Sequence, residues 1–464
     1  MSVTAPNLFD RALRRITSAW RDMAAGVASG EDDSVAAQMR ACLAARGGEV
    51  SARNRAAKLA QTYLGLGEPA RLEFLRTLAG FDSDPDAVAR AYDAVQAAAD
   101  PAERAAAQAE LRRALEPPRM RLLTQFAAIP DGVKFLVDLR AFLIGSRKDD
   151  KLLSALESDL RALLASWFDV GFLELRRIDW DSPASLLEKL VGYEAVHEIR
   201  SWRDLKNRLD SDRRCYAFFH PRMPDEPLIF VEVALVRGLA GSVQRLLDPE
   251  APVEDPLTAD TAIFYSISNC QRGLAGISFG NFLIKRVVDI LAAEFRNLKT
   301  FSTLSPIPGF ARWLQGELGQ AHSDLLAEEE VANLKSAVSV FGEPPASGAE
   351  ALRMILARRG WFRDQALLRT TEPVLTRLCA RYLLEAGGRR ARDPVAHFHL
   401  SNGASVERIN MLGDVSDKGV KESATLMVNY LYDPQRIEAN HEDYAGEGRR
   451  NASAAVRRLA RGRA

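Results

Sequence analysis

The stretch that most restricts the fold lies between Ala262 and Phe310. Residues 262–268 form an apolar run, Ala-Ile-Phe-Tyr-Ser-Ile-Ser, whose β-branched and aromatic residues predict a strand. A turn over 269–276 follows, with two glycines in Gln271-Arg272-Gly273-Leu274-Ala275-Gly276. The segment 277–295 is amphipathic at helical spacing. Phe279, Leu283, Val287, Ile290 and Leu291 fall on one side, and Lys285, Arg286 and Asp289 on the other. A second strand, 300–304, comes after a short link and runs into Ser305-Pro306-Ile307-Pro308-Gly309-Phe310. Links this short argue for a crossover unit whose two strands could lie side by side. A glycine turn before a helix turns unpaired amides and the positive end of the macrodipole toward an anion of phosphate size. A tight turn with packing glycines is the plainer alternative.

Ahead of this unit, residues 1 to about 170 read as one helix after another. Leu8, Phe9, Leu13, Ile16 and Trp20 recur at helical spacing, and Pro117-Pro118 breaks a run of Ala/Leu/Arg helices. Leu153, Leu156, Leu160, Leu163, Leu164 and Trp167 mark a strongly amphipathic last helix. The block holds no histidine, so it reads as a packing or oligomerisation domain, with a helical binding scaffold as the alternative. Strands begin only after about 170, over 215–220 and 227–235. The expected division is therefore a helical domain, 1–170, and an α/β or α+β domain, 171–464. Farther on, 395–400 and 405–410 read as two strands of a hairpin around Asn402-Gly403, and 416–432 as a final helix.

Lys+Arg and Asp+Glu both number 62, so no overall field draws nucleic acid or a membrane surface to the chain. The tail from Gly448 onward is an exception, with six arginines and no acid; a solvated, frayed helix end is its simplest reading. Cys42, Cys215, Cys270 and Cys379 are too scattered for a zinc site or a disulfide frame, which suits a reducing compartment. No apolar signal core or bilayer-length run is present, which leaves the cytoplasm as the default location.

Few residues could carry chemistry. Ser305 sits where a strand yields to a proline-braced turn beside the anion site, although turn serines are common. His397 and His399 alternate with apolar residues, which on a strand puts both imidazoles on one face. That leaves a general acid/base, a packed histidine, or a metal pair lacking further ligands. Tyr430 and Tyr432 would pack or lend a hydroxyl to a pocket. Glu232, in an apolar strand, reads as solvent-facing, and Arg272, Lys285 and Arg286 as cations suited to a polyphosphate.

Several blocks, in this order, resemble the malonyl-CoA decarboxylase family. They are residues 262–268, 271–276, 280–288, 301–310, 393–404 and 429–432. The resemblance implies a helical N-terminal domain used in tetramer assembly, so a homo-oligomer, and a catalytic domain of acyl-CoA N-acetyltransferase (GNAT) type, an α+β chain overall. It implies conversion of malonyl-CoA to acetyl-CoA and CO2 with no metal or prosthetic group as cofactor. The family's catalytic serine falls on Ser305 and its histidine on His399. Its acyl-CoA loop falls on Ala275, Gly276, Ile277, Ser278, Phe279, Gly280 and Asn281, and a pocket tyrosine on Tyr432. Ser278 stands where the family pattern has a glutamate, so that carboxylate's role does not carry over. The chemistry agrees: loss of CO2 from a malonyl thioester leaves an enolate, which needs donors at the thioester oxygen and a proton source. His399 is expected to polarise that oxygen while Ser305, coupled to it, binds the carboxylate end and relays the proton. An acyl-CoA-dependent acyltransferase and a non-catalytic acyl-CoA sensor are the rival readings.

Overall fold

The computed structural model describes residues 18–25, 27, 34–44, 48–146, 149–277, 282–320, 325–339, 342, 345–385 and 387–462. Leu8, Phe9, Leu13 and Ile16 lie outside these, as do Ser278, Phe279, Gly280 and Asn281. The first part is helical. Its helices are α1 (Val35–Leu43), α2 (Glu49–Gly65), α3 (Glu68–Ala79), α4 (Pro85–Ala97), α5 (Pro101–Leu115), α6 (Pro118–Ala127), α7 (Gly132–Ser146) and α8 (Lys151–Trp167). Asp100 and Asp150 cap α5 and α8 by accepting from amides of their first turns, which satisfies donors the helices cannot. The leucine stripe of α8 is buried at Leu153, Leu156, Leu160 and Leu164. Trp20 is fully buried and its indole donates to the Pro130 carbonyl at 2.9 Å.

Beyond these helices the described residues form one eight-stranded sheet. Its strands are β1 (Glu174–Ile178), β2 (Arg213–Phe219), β3 (Ile229–Val236), β4 (Thr261–Asn269), β5 (Thr300–Thr303), β6 (Ser305–Pro306), β7 (Ser405–Asn410) and β8 (Met427–Leu431). β1 to β4 form an antiparallel meander. Helix α9 (Phe282–Glu294) then carries the chain across, and β5 pairs parallel to β4, with Thr261 opposite Thr300 and Phe264 opposite Thr303. The crossover unit read from the sequence is therefore present, with its strands adjacent. β5 and β6 lie against β8 in one continuous register, Ser302 facing Leu431 and Ser305 facing Val428. β7 covers the other side of β8.

Two details shape the site. The amide of Leu304 donates to the Phe264 carbonyl at 3.0 Å, and beyond it β4 continues to Asn269 paired only with β3. The parallel strands thus part, leaving one edge of β4 without a ladder partner among the described residues. In addition, Glu232 pairs with Ser266 and Val233 with Phe264, so Tyr265 is the extra residue of a bulge in β4.

Several expectations are corrected. Residues 395–400 are not a strand but lie in helix α10 (Pro394–Ser401), capped by Asp393 with proline in the first position. The Asn402-Gly403 step joins α10 to β7 and is no hairpin. Gly403 has φ +82°, and a Cβ there would meet the Ile437 carbonyl oxygen at 2.1 Å. The expected helix 416–432 is a short helix, α11 (Asp417–Ser423), followed by β8; Ala424 and Thr425, both at positive φ, reverse the chain between them. Glu232 is buried and accepts from Arg208 Nη1 at 3.1 Å. As far as Gly462 the basic tail is not frayed: its helix, Ala454–Ala460, buries Val456, and Arg450 donates to the carbonyls of Gly388 and Arg390.

Candidate active site

The site forms where three chain segments meet at the parting of β4 and β5. The first is the β5–β6 strand, whose inward face presents Thr303 and Ser305. The second is α10, whose last turn carries His399. The third is β8, which places Tyr430 and, just beyond its end, Tyr432 two residues apart and therefore on one face. The structure brings Ser305, His399 and Tyr432 together. Ser305 Oγ is 3.0 Å from His399 Nε2, and His399 Nδ1 is 2.8 Å from Tyr432 Oη. Tyr430 stacks on the imidazole at 4.5 Å between ring centroids. Ser305 Oγ also donates to Thr303 Oγ1 at 2.8 Å, and the Tyr430 amide donates to the same oxygen at 3.1 Å.

These bonds form one consistent chain. Burial drives the Tyr432 hydroxyl far above the ordinary tyrosine range, so it keeps its proton and donates to His399 Nδ1. The ring then carries its hydrogen on Nε2 and donates to Ser305 Oγ, which donates to Thr303. Burial also depresses the His399 pKa to about 3, so the imidazole is neutral at ordinary pH. His399 is 3% exposed and Ser305 5%, so the pair sits in a low-dielectric setting where hydrogen bonds weigh more than in water.

A buried carboxylate ties the serine and histidine segments together. Asp393 Oδ1 accepts from the amides of Val395 and Ala396, which caps α10. Its Oδ2 accepts from the Gly309 amide at 3.1 Å and from the Tyr382 hydroxyl at 3.4 Å. Gly309 belongs to the proline-braced turn after Ser305, so one side chain fixes that turn against the start of the His399 helix. A Cβ at Gly309 would lie 2.1 Å from Tyr382 Oη, so only glycine lets the turn come this close. Sequence reasoning missed Asp393, although Asp-Pro is a helix-start signal.

The other sequence candidates are spread out. His397 and His399 are two apart on a helix, so their rings diverge, and His397 Nδ1 instead meets Tyr444 Oη at 2.7 Å. Among the described residues no group of three or more His, Cys, Asp or Glu is placed to hold a metal ion. Ala275, Gly276 and Ile277 close the glycine turn, with Gly276 at φ +74°. The three cations that would suit a polyphosphate have the following contacts. Lys285 pairs with Glu438 at 2.6 Å, and Arg286 donates to the Leu173 carbonyl. Arg272 Nη2 lies 3.6 Å from where a Cβ on Gly145 of α7 would stand. The loop is instead held by arginines from the helical part, which the sequence did not flag. Arg140 of α7 donates to the carbonyls of Gly273 (2.6 Å) and Ala275 (3.0 Å), and Arg161 of α8 to that of Gly276 (2.9 Å).

Fold and site define a mixed α+β protein with a buried serine–histidine–tyrosine chain at the open end of a parallel crossover. Residues 171–464 match the family model for the malonyl-CoA decarboxylase C-terminal domain, and 81–168 that for its N-terminal domain. The chain belongs to the malonyl-CoA decarboxylase family. The mitochondrial malonyl-CoA decarboxylase of Anser anser anser is 38% identical over 425 residues, covering 87% of this chain and 83% of that protein. The Rattus norvegicus enzyme of the same name is 37% identical over 420 residues, covering 87% and 84%. The crystal structure of malonyl-CoA decarboxylase from Rhodopseudomonas palustris matches with a TM-score of 0.82 at 43% identity, covering 92% of this chain and 99% of that one. The structure from Agrobacterium vitis matches at 0.79 and 40%, with the same coverage.

Proposed function

We propose that this chain is a carboxy-lyase that converts malonyl-CoA to acetyl-CoA and CO2, with Ser305 and His399 as its catalytic pair. The observation that carries the reading is the 3.0 Å contact between Ser305 Oγ and His399 Nε2, closed behind by Tyr432. In the reaction the C–C bond to the carboxylate breaks and its electrons move into the thioester, leaving an enolate and CO2. Hydrogen-bond donors aimed at the thioester oxygen lower that barrier, and the carbanionic carbon then takes up one proton, supplied by solvent and relayed through Ser305. Both nitrogens of His399 are engaged, so direct polarisation of the thioester by the imidazole would break one of its two bonds. Ser305 is therefore assigned the contact with substrate: its hydrogen turns from Thr303 to the thioester, and His399 Nε2–H steadies its oxygen. Tyr432 holds the imidazole in the tautomer that can do this.

The sheet domain, 171–464, reads as GNAT-like. The parallel β4–α9–β5 crossover, the bulge at Tyr265 and the parting of the two strands support this. The unpaired edge of β4 would suit the amides of a pantetheine arm, and Ala275 to Asn281 the nucleotide phosphates. We assign 1–170 to a helical domain that assembles a homotetramer, for which sedimentation at four times the 51.1 kDa chain mass is the test. A cytoplasmic location fits the four free, buried cysteines and is tested by fractionation. Among the described residues no helix is long and apolar enough to cross a membrane. Release of CO2 with stoichiometric acetyl-CoA from malonyl-CoA tests the function itself.

A further inference from the structure

The glycine turn after β4 is not held by its own domain alone. Across 273–276, three carbonyl oxygens bond to two arginines of the helical part. Arg140 takes Gly273 and Ala275, and Arg161 takes Gly276. Arg140 is only 2% exposed, and its Nε and Nη2 both donate to Oε1 of Glu157 on α8, at 3.1 and 2.7 Å. That pair fixes the guanidinium plane before it reaches the loop. The packing is equally close on the glycine side: a Cβ on Gly273 would stand 1.7 Å from the Val137 carbonyl oxygen of α7.

The consequence follows from the planar trans peptide, in which the C=O of one residue and the N–H of the next point in opposite directions. Holding the Ala275 carbonyl on Arg140 turns the Gly276 N–H away from the helices. The neighbouring amides of Leu274 and Ile277 are spent inside the turn, on the carbonyls of Gln271 and Leu274. None of the described residues accepts from the Gly276 N–H. Its left-handed φ of +74° is what lets one residue present its amide outward while its carbonyl returns to Arg161.

We propose that Arg140 and Arg161 are positioning residues that aim this loop at the phosphates of an acyl-CoA, so that the helical domain sets nucleotide affinity as well as any assembly. The inference rests on the acyl-CoA reading above and deepens it. Arg161 is the better residue to change, because it is exposed and its loss leaves the buried Arg140–Glu157 pair in place.

The experiment titrates CoA into the wild-type chain and into Arg161→Ala by calorimetry. It also compares kcat/KM for CO2 release from malonyl-CoA and from malonyl-pantetheine, which lacks the nucleotide and its phosphates. The expected result is a Kd for CoA raised about tenfold, matched by a similar loss of kcat/KM on malonyl-CoA and less than a twofold change on malonyl-pantetheine. An unchanged CoA affinity, a wild-type chain that does not bind CoA, or an equal loss on both thioesters would overturn the proposal. A wild-type chain that binds CoA, binds it more weakly after the substitution, and yet releases no CO2 would leave this inference standing and remove the decarboxylase reading instead.

Discussion

Replacing Ser305 by Ala or His399 by Asn removes one partner of the 3.0 Å contact on which the chemistry turns. Positioned proton-transfer and donor groups contribute about 10²- to 10⁴-fold, so turnover should fall by that order while the affinity for CoA hardly moves. Steady-state kinetics with a parallel CoA titration checks this, and near-wild-type turnover in either variant refutes the assignment. Tyr432→Phe removes only the hydroxyl behind His399 Nδ1 and should cost about tenfold in kcat, the order of one lost hydrogen bond. The pH dependence is specific as well. The folded imidazole sits at about 3, against 6.5 for an ordinary histidine, so kcat/KM should show no histidine limb between pH 5 and 8. Stability follows the same shift. Between those two values the unfolded chain binds a proton the folded one refuses, so the stability is complete above about 6.5 and drains away as pH falls toward 3. Urea midpoints at pH 7 and pH 4.5 should show the wild type losing ground to His399→Asn, which has no imidazole to protonate; a constant difference contradicts the burial argument.

At the scale of elements, the placement of His399 depends on α10 starting where it does. Asp393→Asn keeps an N-cap acceptor for α10 but sets an amide where the Gly309 N–H and the Tyr382 hydroxyl need a carboxylate oxygen. Stability should drop by about 1–3 kcal/mol for the poorly satisfied buried group, and kcat by about 10- to 100-fold as the serine turn shifts against the helix. A variant that melts earlier yet turns over at the wild-type rate would make the clasp merely structural. The same region marks the limit of what the sequence could reveal. The β4–α9–β5 unit was legible because its β-branched run, its glycines and its helical stripe all agree. Residues 395–400 alternate polar and apolar like a strand, and only the Asp393-Pro394 pair betrays a helix. The break between α11 and β8 falls on Ala424 and Thr425, which take left-handed conformations that neither residue type advertises. Glu232 read as solvent-facing because its partner, Arg208, lies 24 positions away in sequence and is brought to it only by folding. Ser305 and His399 stood among the candidates read from the residues themselves, and the resemblance supplied the catalytic roles proposed for them. What remained hidden was the support behind them, since bonds such as Asp393 to Gly309 span 84 residues and leave no local pattern.

Taken as a whole molecule, the helical part and the sheet share one continuous hydrophobic core, running from Trp20 through Leu160 to Tyr432. Arginines of α7 and α8 reach the glycine turn after β4, so the two parts are coupled physically as well as covalently. The chemistry assigned to this assembly asks for no electron sink other than the thioester carbonyl. The most direct test is therefore to incubate the purified full-length chain with malonyl-CoA in the presence of a strong chelator and to measure CO2 and acetyl-CoA together. The expected result is the two in equal amounts, at a rate the chelator does not change and that Ser305→Ala lowers by about 10²- to 10⁴-fold. Malonyl-CoA left intact, or its malonyl group recovered on an added amine with no CO2 released, would contradict it.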